Sequence, residues 1–140
     1  MRALWPIHPA ILTTGGLAPA LRTLARRSAV PVELDAGVSG RLPAAIEAAV
    51  YFVVSEALTN AAKHASASLV SVDVAAHNGS VKVEIDDDGV GVGGADPARG
   101  SGLIGLRDRV EALGGSIDIS SPAGGGTALR VEIPIVERVA

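Results

Sequence analysis

Val70-Ser71-Val72-Asp73-Val74-Ala75-Ala76-His77-Asn78-Gly79-Ser80-Val81-Lys82-Val83-Glu84-Ile85-Asp86-Asp87-Asp88-Gly89-Val90-Gly91 decides the fold. Val70, Val72 and Val74 alternate with Ser71 and Asp73, which is the period of a half-buried strand. Asn78-Gly79 is the turn pair expected of a tight hairpin, where both central residues need positive φ. Val81, Val83 and Ile85 carry the returning strand. Asp87 shares their face, so an apolar row ends in a carboxylate at the rim of the core. Asp86 falls on the other face with Lys82 and Glu84, where water can hold it, and Asp88 belongs to the turn. Gly89 and Gly91 allow close approach of a ligand or of another backbone.

Elements of both kinds flank this hairpin. Upstream, Pro43 opens the longest helix, which runs to about His64 or Ala65; from Ala48 to Val54 it is apolar all round and should be buried on most sides. Val30 to Leu34 reads as an edge strand, because its prolines disqualify it from a sheet centre, and Asp35 to Leu42 reads as a loop. Leu17 to Ser28 is a short helix with Leu17, Leu21, Leu24 and Ala25 on one face, and Pro19 sits near its first turn, where proline is tolerated. Residues 1–16 are an irregular arm and residues 17–140 a single domain. Downstream, Gly89 to Gly102 holds six glycines and one proline in fourteen residues, a long loop of the kind usually kept for function. Leu103 to Leu113 is an amphipathic helix stopped by Gly114-Gly115. Ile117 and Ile119 lie on one strand, and Leu129, Val131 and Ile133 on the next. Hairpins dominate, so the expected fold is a two-layer α/β sandwich: a mixed, mostly antiparallel sheet with helices on one face.

Composition narrows the function. The chain has 140 residues, 48% of them hydrophobic and 19% charged, enough for one core. A net charge of −3 and only one Trp, one Tyr and one Phe argue against a nucleic-acid surface. Zero cysteines exclude disulfides and thiolate metal sites and suit a reducing, cytoplasmic setting. No segment reaches the length of a membrane-spanning run, and Met1 to Pro6 lacks the pattern of a signal peptide.

The long helix changes character at Ser55. With Glu56 at zero on a helical wheel, Asn60 falls at about 40°, Lys63 at about −20° and His64 at about 80°. A carboxylate, an amide, an ammonium and an imidazole therefore share one sector, which upstream holds Ala49, Phe52 and Val53. A carboxylate on a buried face needs a cation or a donor. Asn60 offers a neutral oxygen suited to Mg²⁺, which takes few protein ligands, and Lys63 can supply charge to phosphate oxygens. The ordinary alternative is a helix emerging into water, with these residues as its wet face. For Asp87 the alternative is a capped turn; in a pocket, its carboxylate could accept a hydrogen bond from an amine such as that of adenine. Thr127 shares parity with Leu129, Val131 and Ile133 and lies at the end of the same inward face. Gly100-Ser101-Gly102-Leu103-Ile104-Gly105 matches a dinucleotide fingerprint literally, but no strand immediately precedes it, and too little chain follows for a doubly wound sheet. Its glycines can still serve phosphate at a helix N-terminus.

In this order and spacing, from about Leu42 to Pro134, the segments resemble the ATP-binding domain of sensor histidine kinases, in the superfamily shared with gyrase B, MutL and heat-shock chaperone ATPases (the Bergerat-type fold). Glu56-x-x-x-Asn60 with Lys63-His64 looks like the N box, and Asp87-x-Gly89-x-Gly91 like the first glycine box. Gly100-Ser101-Gly102-Leu103 and Gly124-Gly125-Gly126-Thr127 look like the later ones. Gly105-Leu106-Arg107-Asp108-Arg109-Val110 with Leu113-Gly114-Gly115 is similar to kinases paired with NarL/LuxR-type response regulators, and Ile7-His8-Pro9 with Gly16-Leu17-Ala18-Pro19-Ala20-Leu21 resembles the link that follows their dimerisation helices, so residues 1–16 would be a remnant of that linker. The resemblance implies a protein-histidine kinase that takes ATP and Mg²⁺. Asn60 would ligate the metal, Glu56 would act in catalysis, and Lys63 and His64 would approach the phosphates. Asp87 would bind the adenine amine above Gly89 and Gly91, residues near Gly91 to Gly102 would form the lid, Gly100, Gly102 and Leu103 would contact the nucleotide, and Thr127 would help hold the base. The implied partners are a dimerisation domain bearing the acceptor histidine and a NarL/LuxR-type regulator. His8, in a Pro-flanked irregular segment, should not be that histidine. An anti-sigma-type serine kinase and a non-catalytic binding module are the alternatives.

Overall fold

The computed structural model describes residues 15–38, 40–62, 68–89, 101–120 and 126–135, with the backbone alone at 101–104. The elements run α1 (Leu17–Arg27), β1 (Val32–Gly37), α2 (Ala44–Asn60), β2 (Val70–His77), β3 (Ser80–Asp87), α3 (Ser101–Ala112), β4 (Ser116–Ser120) and β5 (Thr127–Pro134). The strands form one sheet in the order β1-β2-β3-β5-β4. Only β1 and β2 are parallel; the other three pairings are antiparallel. This is the mixed two-layer sandwich that the alternating strands imply.

The sheet's inward face follows from period two. Val70, Val72 and Val74 of β2, Val81, Val83 and Ile85 of β3, and Leu129, Val131 and Ile133 of β5 are all buried. Their registers match across the ladder, with Val72 opposite Ile85 and Ile85 opposite Leu129. The hairpin turns at Asn78 and Gly79, whose φ values of 52° and 79° are the positive pair its sequence calls for.

Helices supply the second layer. Leu17, Ala20 and Leu21 of α1 are buried, and so are Ala48, Ala49, Val50, Val53 and Val54 of α2, which accounts for the unbroken apolar run there. Two boundaries differ from the sequence reading. β1 starts at Val32, just after Pro31, and continues through Asp35 to Gly37, where a loop was expected. Asp35, Ala36 and Gly37 pair with Asp73, Val74 and Ala75, and that ladder outweighs their turn propensity. α3 begins at Ser101, two residues before the expected Leu103. The far end of the long helix, expected at His64 or Ala65, lies outside the described residues.

One buried group had no signal in the periodicity. Glu47, in the first turn of α2, is 2% exposed. Its carboxylate accepts from Arg41 Nε (3.1 Å), Arg41 Nη2 (2.9 Å) and the Leu42 amide (3.1 Å). This fork ties the incoming loop to the helix start, where Pro43 offers no side-chain cap, and it raises the Arg41 pKa through hydrogen bonding and charge.

Candidate functional site

The last residue of β3 sets the geometry. Asp87 stands in a row that runs across the sheet: Val70 pairs with it on one side and Thr127 on the other. It is half-buried, whereas Asp86 and Asp88 are exposed, so the inward row does end in a carboxylate at the rim. Asp87 Oδ1 accepts from the Gly89 amide at 2.9 Å and from the Thr127 amide at 3.3 Å. Both bonds fall on one oxygen and fix the orientation of the carboxyl group. Thr127 is itself half-buried at the inward start of β5.

Gly126 is the tight point of this corner. A Cβ at that position would fall 1.9 Å from the Asp87 carbonyl oxygen and 3.5 Å from Asp88 Cα, so no side chain fits while β5 starts where it does. The glycine run before Thr127 carried the signal for this residue, which the sequence reading left without a role of its own. Asp88 was assigned only to the turn. It bonds backward instead: its Oδ1 accepts from the amides of Ser68 (2.8 Å) and Leu69 (2.9 Å), and its Oδ2 from the Ser68 hydroxyl (2.5 Å). Those donors, the hydroxyl first, hold the Asp88 carboxyl below the usual carboxylate range.

On α2, Glu56 and Asn60 are both half-buried. With Phe52 they form a row spaced by four residues, on one side of the helix. Phe52 carries the Arg109 guanidinium of α3 over its ring, 5.6 Å from the centroid, a cation–π contact. Burial lowers the Arg109 pKa, opposed by the charge of Asp108. A cleft of about 300 Å³ between α1 and α2 is lined by Leu24, Ser55, Leu58, Thr59 and Ala62. Glu56 and Asn60 are not among its lining residues. The helix ends at Asn60 and passes into a wider π-type turn at Ala61 and Ala62, a deviation common at functional sites.

Asp87, Gly89 and Thr127 are thus brought together by direct hydrogen bonds, while Glu56 and Asn60 share one side of α2. Lys63, His64, Gly91 and Gly100 lie outside the described residues. Gly102 and Leu103 are in the first turn of α3. The chemistry of the donors suits a magnesium nucleotide: Asp87 keeps Oδ2 as an acceptor after Oδ1 has taken two amides, and Glu56 and Asn60, on their own side of α2, carry hard oxygen donors.

Comparison with known proteins bears on the family and the fold. The model of the family described as histidine kinase-, DNA gyrase B-, and HSP90-like ATPase matches residues 45–137. The chain is 35% identical over 144 residues to the sensor histidine kinase NarS of Mycobacterium tuberculosis, covering 96% of this chain and 33% of that protein. It is 35% identical over 122 residues to the nitrate/nitrite sensor protein NarQ of Escherichia coli, covering 84% and 21%. Among solved structures, the blue-light activated histidine kinase of Erythrobacter litoralis EL346 superposes with a TM-score of 0.72 at 27% identity, over 85% of this chain and 42% of that one. The ATP binding domain of PrrB from Mycobacterium tuberculosis gives 0.64 at 25% identity, over 86% and 92%. The chain therefore spans a third or less of the two curated relatives and nearly the whole of one solved ATP-binding domain.

Proposed function

The chain belongs to the family of histidine kinase-, DNA gyrase B-, and HSP90-like ATPases, and from that premise we propose that it is the ATP-binding catalytic domain of a two-component sensor histidine kinase. The whole kinase would transfer the γ-phosphoryl of ATP to a histidine on a dimerisation domain. A NarL/LuxR-type response regulator would receive it in turn, in the cytoplasm; among the described residues no helix is long and apolar enough to cross a membrane.

The observation that carries this reading is the Asp87 carboxyl group, held at the core's rim by two amides on one oxygen. Its second oxygen is the acceptor for the exocyclic amine of adenine. Gly89 and Gly91 floor the base slot, and Thr127 closes it from β5. Asn60 supplies a neutral oxygen to the metal side, and Glu56 polarises the attacking imidazole. Lys63 and His64 bring positive charge to the phosphates, Gly100 lets them approach closely, and the backbone amides of the first turn of α3, with Gly102 and Leu103, add their partial positive charge. Mg²⁺, held on the Asn60 side when bound, would neutralise phosphate charge. Catalysis by such a site is mainly positioning and electrostatics.

The test has two arms. Titration calorimetry of the chain with a non-hydrolysable ATP analogue and Mg²⁺ should give binding that Asp87→Asn and Asn60→Asp each weaken strongly. Labelled ATP, mixed with the chain and a dimerisation-helix fragment, should give acid-labile label on histidine. Acid-stable label on serine of an anti-anti-sigma protein would identify the serine-kinase alternative, and the absence of nucleotide binding a protein-binding module.

A further inference from the structure

α2 lies between two other helices and contacts both α1 and α3. One flank faces α1, where Ser55, Leu58, Thr59 and Ala62 line the cleft with Leu24. The opposite flank faces α3, because Phe52, the chain's single phenylalanine, lies under the Arg109 guanidinium. Glu56 and Asn60 follow Phe52 on that flank at intervals of four residues. All three are half-buried.

The sheet fixes the directions of the two helices. β1 runs away from the Asp87 end, since its first residue, Val32, pairs with Val70, which pairs with Asp87; α2 follows β1 and returns. β4 runs toward that end, from Ser116 opposite Glu132 to Ser120 opposite Ala128. α3 reaches β4 through a tight turn at Gly114 and Gly115, so α3 itself runs away from the Asp87 end. The two helices are therefore antiparallel, and counting outward from the Phe52–Arg109 contact gives their register. At about 1.5 Å per residue, Glu56 stands about 6 Å along α2 and Gly105 about 6 Å along α3. Asn60 and Gly102 stand about 12 Å and about 10 Å along. Both glycines lie on the Arg109 side of their helix, so at each level α3 presents backbone. Among the described residues, a Cβ at Gly105 would meet nothing within 4 Å.

Arg109 is an expensive choice for its half-buried place, where an aliphatic side chain would pack without desolvating a charge. What the guanidinium adds is a directional hold on the ring face. We propose that Arg109 is a positioning residue: clamped over Phe52, it sets α3 in register with α2, so that Gly105 stands level with Glu56 and the first turn of α3, at Gly102, stands level with Asn60. The inference rests on the nucleotide reading given above and names the residue that spaces the two walls of its phosphate side.

A fault in this register should weaken the hold on the triphosphate and spare the base, which is held on the sheet at Asp87. The experiment measures Kd for the full chain with two probes, adenosine and a non-hydrolysable ATP analogue with Mg²⁺, and takes their ratio. In Arg109→Leu the advantage of the analogue over adenosine should shrink about tenfold, a usual scale of coupling between sites, with the adenosine Kd unchanged. Phe52→Leu should shrink it equally. The double variant should shrink it no further than either single one, since both remove the same contact. Phe52→Tyr keeps the ring face and should keep the ratio. Arg109→Lys keeps a cation but not its flat stacking, and should keep part of the advantage. Equal losses for the two probes would overturn the inference, as would an unchanged ratio in Arg109→Leu. A loss in Arg109→Leu that Phe52→Leu does not share would overturn it too, and would assign Arg109 a direct contact with phosphate instead. If Arg109→Leu does not fold, Phe52→Leu against Phe52→Tyr decides by the same ratio. Failure of the unaltered chain to bind either probe would overturn the functional reading itself; nucleotide binding with unmoved ratios would overturn this inference alone.

Discussion

Thr127 donates its backbone amide to the Asp87 carboxyl group across the β3–β5 ladder, 3.3 Å from Oδ1, and the same oxygen accepts from Gly89 at 2.9 Å. The two residues are paired in register. One carboxylate oxygen is therefore spent on holding the corner, and under the proposed function the other is the one that meets the base.

This division predicts how Asp87→Asn behaves. A carboxamide oxygen can still accept both amides, so the corner should keep its shape and the Tm should stay close to that of the unaltered chain. The second position becomes a donor and meets the adenine amine with the wrong polarity. A hydrogen bond to a charged acceptor contributes about 1.5–3 kcal/mol, so affinity should fall by roughly ten- to a hundredfold. Calorimetric titration alongside thermal melting separates the two effects.

Gly126→Ala should do the reverse of a local polar change and disturb the backbone. Its Cβ would fall 1.9 Å from the Asp87 carbonyl oxygen, so the end of β3 or the start of β5 must move. Overpacking of this kind costs about 1–3 kcal/mol. Urea unfolding should show a lower midpoint, and the amide of Thr127 should exchange faster.

The Glu47 fork predicts an asymmetry. Glu47 is buried, while the Arg41 side chain is 54% exposed. Arg41→Ala leaves a buried carboxylate with the Leu42 amide as its remaining hydrogen-bond donor of the three, whereas Glu47→Gln leaves an arginine that water can solvate. Breaking such a pair from the exposed side should therefore lower the Tm more than neutralising the buried side. A Tm series with both variants would refute this if Glu47→Gln were the worse.

Asp88 gives a pH signature. Its folded-state pKa lies below the ordinary 3.8, chiefly through the Ser68 hydroxyl and the amides of Leu69 and Ser68. The stability it contributes is then present above 3.8 and is lost as pH falls below that value through the lowered one. The Tm difference between the unaltered chain and Asp88→Ala should narrow on acidification across that window. A difference that stays constant would mean that the carboxylate charge contributes nothing to these bonds.

Much of the architecture was legible because each strand carries its own alternation. Val70 to Val74 and Val81 to Ile85 announce both their faces and their hairpin, and Asp87 falls on the inward face by counting alone. The burial of Glu47 was not legible. Its partner Arg41 is brought to it only when the loop folds back on the first turn of α2, and local periodicity carries no trace of that. β1 was misjudged at its far end for the same reason: Asp35 and Gly37 favour turns until β2 offers them a parallel ladder.

The amino-acid sequence by itself determined the order of elements, the side of each strand that meets the core, and the glycine-rich segments around a nucleotide-type site, since all of these follow from near-neighbour spacing. Tertiary structure alone decided that Asp87 is braced by Thr127, that Asp88 reaches back to Ser68, and that Gly126 cannot carry a side chain. Each of these is a contact between residues twenty to forty positions apart, and such contacts exist only after the sheet has chosen its strand order.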